Sequence, residues 1–267
     1  MIALAFTSTG CGGGGNRAAR RPATPQQRAV LTEGFSALDA QQYNDAIAKA
    51  DQFLAGVPHG PESAEALYLR GRGLEGKNAA GVTPDEAKAN LQAAREAYIR
   101  ALEQSPREPL NAYVRTSLGN VAYFQDDYAT AVSQLTSAYD ALGTDAPDLK
   151  AWALYRVGLS QQRLGRFPQA DKTFQAVQEN FPNSLPAQRA REHQGARAFF
   201  VQLATFASAA TADQAVLNLR RQGVAAARET DPQGHAVLRA GPIASYGQAQ
   251  FLKQRFAEQY PDAVVVP

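Results

Sequence analysis

The sequence predicts an α plus α/β mix: an N-terminal α-solenoid of four helix pairs followed by a small β-α-β-β-α-β domain. One observation behind this is that Gly, aromatic and Ala residues recur at fixed offsets as far as Ser184. Another is that, beyond Arg197, the apolar period changes from helical to alternating. Composition bounds the rest. A chain of 267 residues suits one or two domains, 45% hydrophobic content supplies their cores, and 19% charged content argues against wholesale disorder.

Residues 1–26 read as a targeting segment and tether. Met1 to Phe6 is mostly apolar, small residues follow, and Cys11 precedes four glycines, Gly12 to Gly15, and a basic, proline-containing stretch. That outline is of a secretory signal. A cysteine closing such a stretch resembles a bacterial lipoprotein cleavage box. The resemblance implies that Cys11 becomes a lipidated first residue that anchors the protein in a membrane, each buried acyl CH₂ contributing about 0.8 kcal/mol. Gly12 stands where inner-membrane lipoproteins carry Asp, so the resemblance implies a periplasmic protein held at the outer membrane.

From Gln27 to Ser184 one spacing repeats. Gly34, Gly119 and Gly158 are each followed nine residues on by Tyr43, Tyr128 and Phe167, then by Ala46, Ala131 and Ala170. Another copy begins at Gly71 and closes with Ala94, Tyr98, Ala101 and Pro106; its 11 extra residues fit a loop from Gly76 to Glu86. A Gly inside a helix costs about 1 kcal/mol against Ala, so its recurrence points to backbones crossing closely. The aromatic opens the second helix, and the terminal Pro stops it. The units fall at 27–60, 64–106, 112–145 and 151–184.

This spacing resembles the tetratricopeptide repeat (TPR). The family pattern is clearest in Leu154, Val157, Gly158, Leu164, Gly165, Phe167, Ala170, Phe174 and Pro182. Trp152 stands two positions early and is expected to cover the preceding unit. The resemblance implies a curved array whose concave face holds an unidentified protein partner. No carboxylate-clamp set of Lys, Arg and Asn stands out. Residues 185–197 are expected to cap the array, with a short helix from Ala187 to Gln194 ended by Gly195.

Residues 198–267 form the second unit. Phe199 to Phe206 reads as a strand; Ala212, Ala215, Val216 and Leu219 mark an amphipathic helix ending at Gly223; Val224 to Thr230 is a weaker strand. Asp231-Pro232-Gln233-Gly234 is a hairpin turn into a strand from His235 to Ala240, closed by Gly241-Pro242. A helix from Gly247 to Tyr260 and a strand from Ala263 to Val266 complete a split β-α-β sandwich, ferredoxin- or RNP-like, with its helices on one sheet face.

Phe200-Val201-Gln202-Leu203-Ala204-Thr205-Phe206 resembles the opening strand of the sporulation-related repeat, the SPOR domain, and Val237 to Ile243 resembles its third strand. Ala204 and Thr205 stand where that family has Gly and Ser, and Val237 where Arg is common. The resemblance implies binding to peptidoglycan, preferentially to denuded glycan strands, often at the division septum. Side chains alternate along a strand, so Phe200, Gln202 and Ala204 are expected on the open face together with His235, Val237 and Arg239. The aromatic ring of Phe200 suits stacking on a sugar. Gln202, the strongest carry-over from the family motif, offers a donor and an acceptor. Arg239 offers a charged fork to lactyl carboxylates, and His235 completes the set.

Other classes are excluded on the same residues. A net charge of +2, with Lys and Arg exceeding Asp and Glu by only two within 197–267, does not suit a nucleic-acid binder. One Cys and three scattered His supply no metal cage, and no nucleophile elbow, Walker loop or dinucleotide fingerprint appears. The reading is a non-catalytic envelope protein without cofactor, binding glycan strands at one end and protein at the other. The alternative is a scaffold of an outer-membrane assembly or secretion complex in which wall binding is secondary.

Overall fold

The computed structural model describes residues 22–79 and 81–267. Cys11 lies outside the described residues. Among the described residues, nine helices make the array: α1 (Pro25–Asp39), α2 (Tyr43–Gly56), α3 (Pro61–Ala79), α4 (Pro84–Glu103), α5 (Leu110–Phe124), α6 (Tyr128–Ala141), α7 (Pro147–Arg163), α8 (Phe167–Asn180) and α9 (Leu185–His193). Tyr43, Tyr128 and Phe167 each open the second helix of a pair, as their spacing predicts. The repeated glycines are steric requirements. A Cβ on Gly71 would lie 2.3 Å from the Tyr98 ring, one on Gly119 2.5 Å from Leu135, and one on Gly158 2.5 Å from Phe174. The facing Ala46, Ala94, Ala131 and Ala170 are fully buried.

Two expectations about the array are corrected. The extra residues of the second pair do not form a loop from Gly76 to Glu86. They lengthen α3 and α4 to 19 and 20 residues. Thr83 and Glu86 form a reciprocal capping box and Pro84 occupies the first turn, so α4 starts inside the expected loop. Trp152 does not cover the preceding unit. It packs against the Tyr155–Phe174–Ala187 cluster, with Arg189 of α9 over its ring at 5.5 Å.

Successive odd-numbered helices touch one another along the array, from α1 to α9. They therefore line its inner, concave side, with the even-numbered helices outside. The short α9 buries Ala187 and Ala190 against α7 and α8, covering the apolar end of the last pair.

The C-terminal unit contains β1 (Phe199–Phe206), α10 (Ala209–Arg221), β2 (Ala226–Thr230), β3 (Ala236–Ile243), α11 (Tyr246–Arg255) and β4 (Val264–Val266). The sheet order is β2-β3-β1-β4 with antiparallel neighbours. This is the split β-α-β arrangement. Phe199, Val201, Leu203, Leu238 and Ala240 from the sheet meet Val216, Leu219, Ala249 and Phe256 in one core.

Two register shifts alter the simple alternation. Gln202 pairs with Arg239 but Ala204 with Leu238, so one extra residue of β1 bulges between them. Beyond the bulge, Phe206 packs on the core and Thr205 is exposed; Ala204 shares the face of Leu238, not the open face expected for it. At the other end Phe199 pairs with Ile243 while Val201 pairs with Ala240. β3 thus runs through Gly241-Pro242, where the sequence had closed it, and returns Ile243 to the core. Helix α11 ends at Arg255, not Tyr260, with Phe256 capping it and Gln259 and Tyr260 in turns.

The two units share side chains. Phe167 of α8 belongs to the core of the sheet domain, its ring 5.4 Å from Phe199. Tyr246 of α11 meets Phe199 at 5.5 Å and Tyr128 of α6 at 5.7 Å. The Arg163 guanidinium lies over Tyr123, Tyr128 and Tyr246, at 4.7, 5.3 and 4.4 Å, and donates to the Tyr128 hydroxyl at 2.9 Å. Asp171 receives Arg197 at 2.7 Å and the Gly195 amide at 2.8 Å across the connection.

Candidate functional site

The helices α10 and α11 cover one face of the sheet, and its opposite face carries the candidate site. The register sets one row across four strands: Ala227, Arg239, Gln202 and Val264. Gln202 sits between Arg239 and Val264, half-buried, with no hydrogen bond to its amide among the described residues. Its donor and acceptor are therefore available to a ligand.

Arg239 is held from one side. Its Nη1 lies 2.8 Å from Glu229 Oε2 in an ion pair, while its Nε is buried without a partner. A buried donor left unpaired costs about 1–3 kcal/mol, so this Nε is a local cost of placing the guanidinium on the sheet. Glu229 was missed in the sequence. Its signal is a carboxylate on β2 two residues beyond Ala227, on the same face as Arg239.

Phe200 lies two residues from Gln202 on the same face. Its ring rests on Gly241, where a Cβ would approach to 2.8 Å, so the glycine leaves the space the ring occupies. Phe200 itself is half-buried. Val237, expected on the open face, is only 6% exposed there, flanked on its row by Glu229 and Thr205.

His235 is not brought to this group. It precedes β3, four residues from Arg239, which is about 13 Å along a strand. Its Nδ1 lies 2.9 Å from Asp231 Oδ2, and Asp231 also accepts the backbone amides of Gln233 and His235 at 2.9 and 2.8 Å. The ring thus locks the hairpin turn that the sequence identified.

Beside the row runs a groove of about 510 Å³ between Gln202–Phe206 and Gln259–Asp262. It arises because β4 pairs only with Phe200 to Gln202, so the second half of β1 keeps an unpaired edge. Pairing length is a tertiary outcome, and no local residue pattern announced this groove. Among the described residues there is no group of three His, Cys, Asp or Glu able to hold a metal, and no helix long and apolar enough to cross a membrane.

Residues 195–267 match the SPOR domain family model, and residues 152–184 match that of the tetratricopeptide repeat. Modules of the first kind bind peptidoglycan in the cell envelope, and those of the second bind proteins. No curated protein matches the chain. Among solved structures, a MamA structure designated AMB-1 is 22% identical, covers 62% of this chain and 78% of its own, and has a TM-score of 0.46. A thermophilic TPR protein in Thermus thermophilus is 16% identical over 62% of this chain and 79% of its own, with a TM-score of 0.46. The pilF protein of Pseudomonas aeruginosa is 15% identical over 88% of this chain and 92% of its own, with a TM-score of 0.46.

Proposed function

We propose that this chain is a non-catalytic adaptor of the cell envelope. Its sheet domain binds peptidoglycan glycan strands freed of stem peptides, and its array binds a protein partner. The observation that carries the reading is the adjacency of Gln202 and Arg239 on an uncovered sheet face, with Phe200 two residues away, in a domain matched as SPOR. Phe200 stacks on a sugar ring, Gln202 reads acetamido and hydroxyl groups, and Arg239 supplies charge-assisted donors through the side that Glu229 leaves open. Binding is an equilibrium in which no bond is broken.

The test uses the full chain, because Phe167 ties the sheet domain to the array. Sedimentation with amidase-treated sacculi is expected to exceed sedimentation with native sacculi. Gln202→Ala and Arg239→Ala are each expected to weaken it about tenfold, the value of one charge-assisted or well-placed hydrogen bond, with the circular dichroism spectrum unchanged. Retention of full binding by both variants would move the site off this face. No sedimentation at all would leave the array as the functional half.

Lipidation at Cys11 and attachment to the outer membrane belong to the same proposal, supported by the small residues before Cys11 and the glycines after it. Mass spectrometry of the mature N-terminus tests it: a diacylglyceryl cysteine is expected, and Cys11→Ser should release the protein from the membrane fraction.

A further inference from the structure

We propose that the bare half of the β1 edge is a strand-addition site: an extended polypeptide segment bearing Lys or Arg lies in the groove between residues 203–206 and 259–262 and pairs its backbone with β1. This site is separate from the glycan row, which crosses the open sheet face, and it gives the C-terminal unit a protein ligand.

Strand β1 runs to Phe206, but β4 pairs only with Phe200, Val201 and Gln202. On its other side β1 stays paired with β3 as far as Phe206. Residues 203–206 therefore have one covered edge and one bare edge. Among the described residues, no backbone hydrogen bond joins 259–262 to the bare one. Five consecutive residues, Gln202 to Phe206, line the groove. Successive side chains of a strand point to opposite faces, so five in a row border one groove only through the edge they share. One side of the groove is thus a row of backbone donors and acceptors at the repeat of an extended polypeptide, which is what an added strand pairs with.

The two ends of the sheet treat their edges differently. At the far end β2 carries Arg228 and Glu229, and Arg228 pairs with Asp213 at 2.8 Å. Charges of this kind keep an edge from pairing with foreign strands. The bare half of β1, Leu203-Ala204-Thr205-Phe206, has no charge and no proline. What stands beside it is the wall at 259–262, set off by the width of the groove. A second copy of the chain carries the same wall beside the same edge, so the two walls would collide before the two edges met. A single extended segment enters without that obstacle. The lining selects further. Among the described residues that line the groove, Asp262 alone is charged, and it is exposed. Its carboxylate repels an anionic ligand, a denuded glycan with its lactyl carboxylates included, and attracts Lys or Arg. Phe206 and Tyr260 pack toward the core, while Thr205 is exposed on the other face. The segment that fits alternates apolar and polar side chains, with its apolar row over Phe206 and Tyr260.

The full chain is used to select from a pool of fluorescein-labelled decapeptides in which Val, Ile or Leu alternates with Lys, Thr or Glu. Each selected peptide is made again in two forms, with backbone N-methyl groups on its odd or on its even residues. An added strand turns alternate amides to its neighbour and the rest to solvent. One form is therefore expected to bind at least about tenfold more weakly, for the loss of one or more hydrogen bonds, and the other to bind as before. Hydrogen exchange is expected to slow at amides within 203–206. Lys is expected to be enriched over Glu, and Asp262→Lys, an exposed position outside the glycan row, to reverse that preference. Should Asp262→Lys fail to fold, the fall of wild-type binding with salt reads the same charge. Peptides enriched in Glu, peptides that leave the 203–206 amides unprotected, and peptides weakened equally by both N-methyl patterns each overturn the proposal, as does a pool that yields no binder. So does slowed exchange at those amides with glycan fragments of amidase-treated sacculi that displace the peptide, which assigns the groove to sugar. None of these outcomes bears on the sedimentation of the Gln202→Ala and Arg239→Ala variants.

Discussion

Individual residues show where this chain accepts a local cost for a longer-range contact. Glu75 is the clearest case. Its carboxylate is buried beside Tyr98 and Arg72, and burial outweighs both, raising its pKa from the ordinary 4.5. A folded-state pKa above the unfolded one means the folded chain binds the extra proton. The stability contributed is complete below the unfolded value and is lost as pH rises through the folded value. Glu75→Gln keeps an acceptor for the Tyr98 hydroxyl and carries no charge to desolvate. The melting temperature of the variant, relative to the parent, is therefore expected to rise between pH 4 and 7. A constant difference would show that Glu75 titrates normally. Arg239 is the counterpart on the sheet, a cation given one partner where its geometry has room for more.

Among the elements, those with strong periodicity were legible and those shaped by register were not. Gly71 and Gly158 predicted tight helix pairs because no neighbouring side chain leaves room for a Cβ there. The opening aromatics fixed the starts of α2, α6 and α8. The lengths of α3 and α4 were misread because Gly76, Gly81 and Pro84 are breakers by composition. Pro84 is helical in the first turn, where its missing N–H is harmless, and Gly76 yields its Cβ space to the Tyr43 ring. The capping box that starts α4 gives the test: Thr83→Ala removes the acceptor of the Glu86 amide and is expected to cost about 1 kcal/mol. A denaturant midpoint unchanged by that substitution would show that α4 is held by packing alone. In the sheet, alternation located Phe200, Gln202 and Arg239 on one face. It failed at Ala204 because a bulge depends on the partner strand, which no single segment encodes. The groove beside β4 was illegible for the same reason.

At the scale of the whole molecule, the division into two units was visible in the change of period, but their union was not. Arg163, Phe167 and Tyr246 are far apart in sequence, and each reads locally as an ordinary repeat or helix residue. Only folding brings Arg163 onto three tyrosines and places Phe167 inside the core of the sheet domain. Phe167→Ala is expected to cost roughly 3–5 kcal/mol. Hydrogen exchange should rise in β1 and α11 as well as in α8; faster exchange confined to α8 would show that the units are energetically separate. Because that joint is packed with rings, the two units have no swivel between them. With both proposed sites occupied, the molecule would act as a bracket, holding what the array grips at one fixed bearing to the glycan mesh, and any slack needed to span the surrounding space would have to come from the cargo.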